Sequence, residues 1–179
     1  NLIYCLNNLE TKMNPVKIGI AGLGTVGCGT VDVLIRNADE IARRAGRGIQ
    51  VSRALVKNIS KDRSCDLNGV ELTTNPEDLL NDPEIEIIVE LMGGDSGIAL
   101  ELVQGAIACG KHVVTANKAL IAVNGNQLFA AAQKKGTMIA FESAVAGGIP
   151  IIKVIREGFS GNVIRRLAGI INGTGNFIM

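Results

Sequence analysis

The sequence predicts an α/β fold of the doubly wound kind, a parallel sheet covered by helices on both faces. Two observations carry that expectation. Short, β-branched and almost continuously apolar runs recur along the chain, as strands buried on both faces require. Between them lie stretches whose apolar residues return at helical spacing. Alternation of this sort implies right-handed crossovers and a ligand site at the carboxyl ends of the strands.

The elements follow in order. "VKIGIAG" from Val16 is a strand ending in glycine, and the helical pattern "TVGCGTVDVLIRNADEIARRAG" continues to Gly46. "IQVSRALVKN" is a second strand and "VELTTN" a short third, leading into "PEDLLND", a small helix with Pro76 in its first turn. "EIEIIVELMGG" from Glu84 is a strand that runs into glycines, "SGIALELVQGAIACG" a helix that ends at Gly110, and "KHVVTA" a further strand. "NQLFAAAQKKG" is helical, with Lys134 and Lys135 in its last turn where cations suit the helix dipole, and "TMIAFE" returns to a strand. After Pro150 the pattern changes. "IIKVIREGFSG" is expected to be helical and "VIRRLAGIING" a strand that carries Arg165 and Arg166 before its apolar part.

The expected organisation is a nucleotide-binding domain over 13–150, then the beginning of a second domain over 151–179. "NLIYCLNNLETK" has poor periodicity, so 1–12 is expected to be a non-native or disordered extension ahead of Met13. "GIINGTGNFIM" stops after a Gly-rich turn with nothing to close a domain, so the chain is expected to be truncated.

Composition narrows the function. Lys plus Arg (18) nearly balance Asp plus Glu (17) and aromatics are 3% with no Trp, which argues against a base-stacking nucleic-acid surface and for a small-molecule partner. No apolar run approaches the roughly 18 residues of a membrane span, and the start lacks a signal-peptide pattern. Cys5, Cys28, Cys65 and Cys109 are scattered, with His112 the only histidine, so neither a disulfide framework nor a zinc site is expected. Reduced thiols in a cytoplasmic protein fit that usage.

The chemistry concentrates at strand ends. "GLGTVG" places Gly22, Gly24 and Gly27 in GxGxxG spacing between a strand and a helix, with Leu23, Thr25 and Val26 between them. The first glycine permits the tight turn, the second lets a pyrophosphate approach the backbone, and the third allows close helix packing beside the amide-rich helix N-terminus. Glycines that merely serve a tight turn would look the same. With this turn the expected fold is of the Rossmann type.

The second strand of such a fold usually offers an acid to the ribose of NAD. Here its end reads "VKNISKDR": Lys57 and Asn58, then Lys61 and Arg63, cations that suit the 2′-phosphate of NADP unless they are a solvated loop. NADP is expected over NAD, and Asp62 lies too far along to be the ribose ligand. In "VELMGG", Gly93 and Gly94 could admit the nicotinamide or simply form a flexible turn; Glu90 carries no assignment. The end of "KHVVTA" projects Thr115, Asn117 and Lys118 toward the crevice shared with the glycine turn. Lys118 could serve a substrate carbonyl or the cofactor, or could be a snorkelling surface lysine; its place near a helix N-terminus, where a cation is unfavourable, favours function. Finally, "FESAVAGGIPII" sets Glu142 before small residues and two glycines. Its carbonyls could turn onto a cation such as sodium, although an interdomain hinge explains the same residues.

Taken together, "GLGTVG", "ELMGG", "GKHVVTANKALIA", "ESAVAGGIPII" and "GIINGTGNFI", in this order and from about Val16 onward, closely resemble homoserine dehydrogenase. The resemblance implies reversible NAD(P)H-dependent reduction of L-aspartate 4-semialdehyde to L-homoserine, in threonine, methionine and isoleucine biosynthesis, by a cytoplasmic homodimer. It implies that Gly22 to Gly27 hold the pyrophosphate, with Thr25 and Val26 in contact, and that Gly93 lies near the nicotinamide. Lys118 becomes the active-site lysine. Glu142, Val145, Gly147 and Ile149 become backbone ligands of a sodium ion, and "NGT" at Asn172 to Thr174 a cofactor-side turn. Two departures, "DSGIA" where a proline is frequent and Gly175 where Thr or Ser is frequent, touch only local loop shape. The family's substrate-binding acids and second lysine lie beyond Met179, so these 179 residues are expected to bind nucleotide without turnover. Two other functions fit the residues: another Rossmann-fold dehydrogenase of a small aldehyde or sugar, and a dinucleotide-sensing module without chemistry.

Overall fold

A computed structural model describes residues 14–169. The elements are β1 (Val16–Ala21), α1 (Thr25–Arg36), α2 (Ala38–Ala45), β2 (Ile49–Leu55), β3 (Glu71–Thr73), α3 (Glu77–Leu80), β4 (Ile85–Glu90), α4 (Ile98–Ala108), β5 (His112–Thr115), α5 (Lys118–Lys135) and β6 (Ile139–Ala140). A 3₁₀ turn at Glu142–Ala144 precedes α6 (Ile151–Lys153), which widens to π-helical geometry over Val154–Gly158. The sheet order is β3-β2-β1-β4-β5-β6, and the pairs β1–β2, β2–β3 and β5–β6 run parallel. That order is the one expected of a doubly wound, Rossmann-type fold.

Two compact units divide at Ile88 and Val89, and each is described by itself. In the first, Ile18, Ile20 and Ala21 of β1 and Ala54 and Leu55 of β2 are buried, so these strands read as apolar runs because they are covered. The β1–β2 register slips between Ile18 and Gly19, leaving Ser52 without a paired Cα partner; its Oγ donates to the Ile18 carbonyl at 3.4 Å. A Cβ on Gly19 would meet Leu79 and Ile85 side chains at 3.1 and 3.2 Å, which explains a glycine in mid-strand. Lys17 and Glu84 (2.8 Å) and Arg47 and Glu86 (2.8 Å) pair at the exposed edge of this packing.

In the second unit, α4 buries Ala99, Leu102, Val103, Ala106 and Ile107, while α5 buries Leu120, Gly125, Leu128 and Ala132. Phe129 of α5 and Phe141 pack with ring centroids 4.9 Å apart, which ties the end of β6 to the helix before it. Gly136, at φ 68°, ends α5 just after the cations Lys134 and Lys135.

Three sequence expectations need correction. The helical pattern from Thr25 to Gly46 is two helices: Asn37, at φ −110° and ψ 21°, ends α1, and Asp39 and Glu40 in the next turn give α2 its own acidic N-terminus. The helix expected in "NQLFAAAQKKG" starts earlier, at Lys118. The strand expected in "VIRRLAGIING" is not formed over Val163–Gly169; Val163 is 88% exposed, with no neighbouring strand to pair with among the described residues. The remainder of that segment and the turn at Asn172 to Thr174 lie outside the described residues, as does the extension proposed over 1–12.

Candidate functional site

In the first unit the site is built from the turn between β1 and α1. Gly22, at φ 98°, takes the left-handed conformation that glycine alone adopts without strain, and its N–H donates to the Leu55 carbonyl at 3.0 Å. Gly27 enters the first turn of α1 so close to that bend that a Cβ would lie 2.1 Å from the Gly22 carbonyl oxygen. Gly24 is different. It caps α1, its carbonyl accepts from Cys28 N–H at 2.9 Å, and a Cβ there would meet nothing within 4 Å. No contact within the chain therefore demands a glycine at position 24, and the space beside it is open. The N–H groups of the first turn of any helix lack intrahelical acceptors, so this opening presents amide donors and the positive end of the helix dipole.

That opening is part of a cleft of about 410 Å³ lined by Leu23, Gly24, Thr25, Cys28, Gly29 and Asp32 on one side and Lys61 to Ser64 on the other. Val26 is 58% exposed on the same turn. Arg63 shapes the second wall: its guanidinium donates to the carbonyls of Asn58 (2.6 Å), Lys61 (2.6 Å) and Ile59 (3.3 Å). Lys57, exposed two residues beyond β2, is not among the lining residues. The cleft thus joins Lys61 and Arg63, rather than Lys57, to the glycine turn. Asp32 and Asp62 share it. The residues fit a dinucleotide: open amides for a pyrophosphate, with a cation and carboxylates within the same cleft.

In the second unit, the ends of β4 and β5 meet in a buried polar cluster. Glu90, the last residue of β4, is fully buried at 0% exposure. Its Oε1 accepts from Met92 N–H at 2.8 Å and from Asn117 Nδ2 at 3.5 Å; its Oε2 accepts from the Thr115 hydroxyl at 2.5 Å. Thr115 Oγ1 in turn accepts from Asn117 N–H at 3.0 Å. Asn117 caps α5, taking Leu120 N–H on Oδ1 at 3.1 Å, and its Nδ2 donates to the Gly94 carbonyl at 2.7 Å. Burial pushes the Glu90 carboxyl above the usual carboxylate range, against the opposing pull of the hydrogen bonds from Thr115, Met92 and Asn117. Lys118 opens α5 as an exposed residue whose ammonium has no hydrogen bond or ion pair among the described residues. Gly93 is exposed at the start of the loop, and Gly94 follows at φ 98°.

Sequence reasoning left Glu90 unassigned. In "IEIIVE" the two glutamates have the same strand parity, yet Glu86 is exposed and Glu90 buried, so alternation carries no signal. The signal lies elsewhere, in "TAN" at the end of the next strand, which supplies the donors a buried carboxylate needs.

Glu142 is likewise not a simple surface acid. Its side chain spans the glycine turn to accept from Ile152 N–H (2.8 Å) and Lys153 N–H (3.0 Å), satisfying donors at the start of α6. The Glu142 carbonyl accepts from Val145 N–H (3.1 Å) and Ala146 N–H (3.0 Å), and the Ile149 carbonyl from Ile151 N–H (2.8 Å). The Val145 and Gly147 carbonyls take no such bond among the described residues. Among the described residues, no group of three or more His, Cys, Asp or Glu side chains could hold a metal ion. No helix of the described residues is long and apolar enough to cross a membrane.

Residues 22–142 match the family model described as homoserine dehydrogenase, NAD binding domain, and residues 150–179 match that of homoserine dehydrogenase. The homoserine dehydrogenase of Pseudomonas aeruginosa is 60% identical over 93% of this chain, and that of Bacillus subtilis 41% identical over the same share; the chain spans 38% of the length of each. The crystal structure of a homoserine dehydrogenase from Thiobacillus denitrificans superposes with a TM-score of 0.83 at 62% identity, over 93% of this chain and 38% of that one. A homoserine dehydrogenase from S. aureus superposes with a TM-score of 0.71 at 36% identity, over 76% of this chain and 34% of that one. The chain belongs to the homoserine dehydrogenase family.

Proposed function

We propose that the chain forms the nucleotide-binding part of an enzyme that reversibly reduces L-aspartate 4-semialdehyde to L-homoserine with NAD(P)H, serving threonine, methionine and isoleucine biosynthesis. The observation that carries this reading is the glycine turn: Gly27 is forced by the Gly22 carbonyl, whereas Gly24 faces open space that an intramolecular role does not explain. When bound, the nicotinamide supplies or accepts a hydride. Gly22, Leu23, Gly24, Thr25, Val26 and Gly27 hold its pyrophosphate. Lys61 and Arg63 on the facing wall of the cleft favour NADP, although Lys57 is not among its lining residues; Asp32 in the same cleft keeps NAD as the alternative. Gly93 and Thr115 lie on the nicotinamide side. Lys118 contacts cofactor and substrate and donates toward the carbonyl oxygen, stabilising the alkoxide as it develops.

The sodium reading rests on the carbonyls of Glu142, Val145, Gly147 and Ile149, of which those of Val145 and Gly147 take no intramolecular hydrogen bond among the described residues. The two family matches leave their gap between residues 142 and 150, which supports a boundary near 150 between the nucleotide-binding domain and the catalytic and dimerisation domain. The enzyme acts in the cytoplasm as a homodimer, on a small molecule, with no role for nucleic acid or membrane.

The test is turnover of aspartate semialdehyde, measured in a chain extended to the full length of the relatives, with and without Lys118→Ala. An enzyme of this class loses kcat on the order of 10²-fold while NADPH binding persists. Unchanged kcat removes Lys118 from the mechanism. A nucleotide response without any turnover in the extended chain supports a sensing module instead. The 179 residues alone bind NADPH without turnover; turnover by them would overturn the division of labour proposed here.

A further inference from the structure

Glu90 is the feature of the second unit that stability does not require. A carboxylate at 0% exposure follows Ile88 and Val89 in the same strand, and an apolar residue there would avoid the cost of desolvating a charge. The carboxylate is kept in a particular way. Oε1 takes the backbone N–H of Met92, at the start of the glycine loop after β4, and Oε2 takes the Thr115 hydroxyl at the end of β5. Because the single hydroxyl proton of Thr115 is committed to Glu90, its lone pairs are left for Asn117 N–H. Asn117 then has one orientation: Oδ1 caps α5 through Leu120 N–H, and Nδ2 reaches the Gly94 carbonyl and, more distantly, Glu90. One carboxylate therefore joins the glycine loop to Asn117, the residue that caps α5 immediately before Lys118.

We propose that Glu90 is a positioning residue for Lys118, acting through Thr115 and Asn117 to fix the first turn of α5 against the Met92–Gly94 loop. The proposal rests on the reading of Lys118 as an active-site lysine. Glu90 does not touch the reacting atoms; its effect on rate is exerted through the placement of the ammonium. The predicted signature is coupling. Glu90→Gln keeps the shape but offers one acceptor oxygen in place of two, so either Met92 N–H or the Thr115 hydroxyl loses its acceptor.

The experiment is a double-mutant cycle in the enzyme of full family length, with Glu90→Gln, Lys118→Ala and both together, reading kcat, KM for aspartate semialdehyde, NADPH Kd and thermal midpoint. The expected result is a kcat loss on the order of 10²-fold for Glu90→Gln with intact Lys118 and no further loss in the Lys118→Ala background, while the thermal midpoint shifts equally in both. Equal kcat losses in the two backgrounds, or wild-type kcat for Glu90→Gln, overturn the proposal. If Lys118→Ala retains wild-type kcat the premise itself fails, an outcome distinct from a Glu90 failure, which leaves Lys118→Ala crippled. Where Glu90→Gln does not fold, Thr115→Val removes the same link between Glu90 and Asn117 and is read by the same cycle.

Discussion

A Cβ placed on Gly27 would lie 2.1 Å from the carbonyl oxygen of Gly22, while one on Gly24, three residues earlier, would meet nothing within 4 Å. These two glycines are therefore constrained by different things. Gly27→Ala pushes backbone against backbone, and an overpacking cost of at least about 1–3 kcal/mol is expected in urea unfolding. Gly24→Ala sits at φ −87°, which alanine adopts freely, so the unfolding midpoint should hardly move. Its NADPH affinity should nevertheless fall at least tenfold, because the methyl group would occupy the space proposed for the pyrophosphate. A Gly24→Ala variant with unchanged NADPH affinity by calorimetric titration would remove the ligand explanation for this glycine.

The thiols offer a second check on the same cleft. Cys28 and Cys65 are buried and Cys109 is exposed. Burial, then the neighbouring Cys28 thiol, pushes Cys65 up to about 11, which disfavours the reactive thiolate. In a Cys5→Ser background, a thiol-specific reagent should modify Cys109 promptly and Cys28 and Cys65 only once denaturant opens the fold. Prompt modification of two or more thiols in the native chain would contradict the burial of this pair.

How much of this was legible in the residues depends on how local each cause is. The glycine turn was legible because its constraints act over five residues: Gly22 and Gly27 meet within one bend, and their spacing states the contact directly. The break at Asn37 was written in the acids Asp39 and Glu40, yet apolar periodicity runs across it and hid it. Glu90 could not be placed, because its environment comes from Thr115 and Asn117, 25 and 27 residues away. The capping role of Glu142 on Ile152 and Lys153 was hidden for the same reason, since the intervening glycines determine where the chain returns. Val163–Gly169 failed in the opposite sense: β-branched and apolar residues favour a strand, but a strand also needs an adjacent one to bond with.

The turn after β6 separates a side-chain role from a backbone role at one residue. Loss of the Glu142 carboxylate leaves Ile152 and Lys153 N–H without acceptors, so Glu142→Ala should cost about 1–3 kcal/mol in unfolding free energy. The sodium ion proposed for these carbonyls would add stability by mass action, about 1.4 kcal/mol at ten times its Kd. Replacing sodium with tetramethylammonium at constant ionic strength should therefore lower the thermal midpoint. A midpoint indifferent to that exchange would retire the sodium site while leaving the capping role of Glu142 untouched.

The buried carboxylate at Glu90 makes stability depend on pH with a definite sign. Burial, the larger influence, raises its pKa in the folded chain, and the bonds from Thr115, Met92 and Asn117 only partly offset it. A carboxyl raised in this way binds its proton more tightly folded than unfolded. Its contribution is therefore complete below the unfolded pKa and is lost as pH rises through the folded value. The unfolding free energy of the wild type relative to Glu90→Gln should fall across that window, which opens in the ordinary carboxylate range and closes at the raised value, and should be level on either side. Urea unfolding at a series of pH values measures this difference directly. A difference that grows with pH over the same window would mean that the three hydrogen bonds outweigh desolvation, and that Glu90 is held as a stabilised anion.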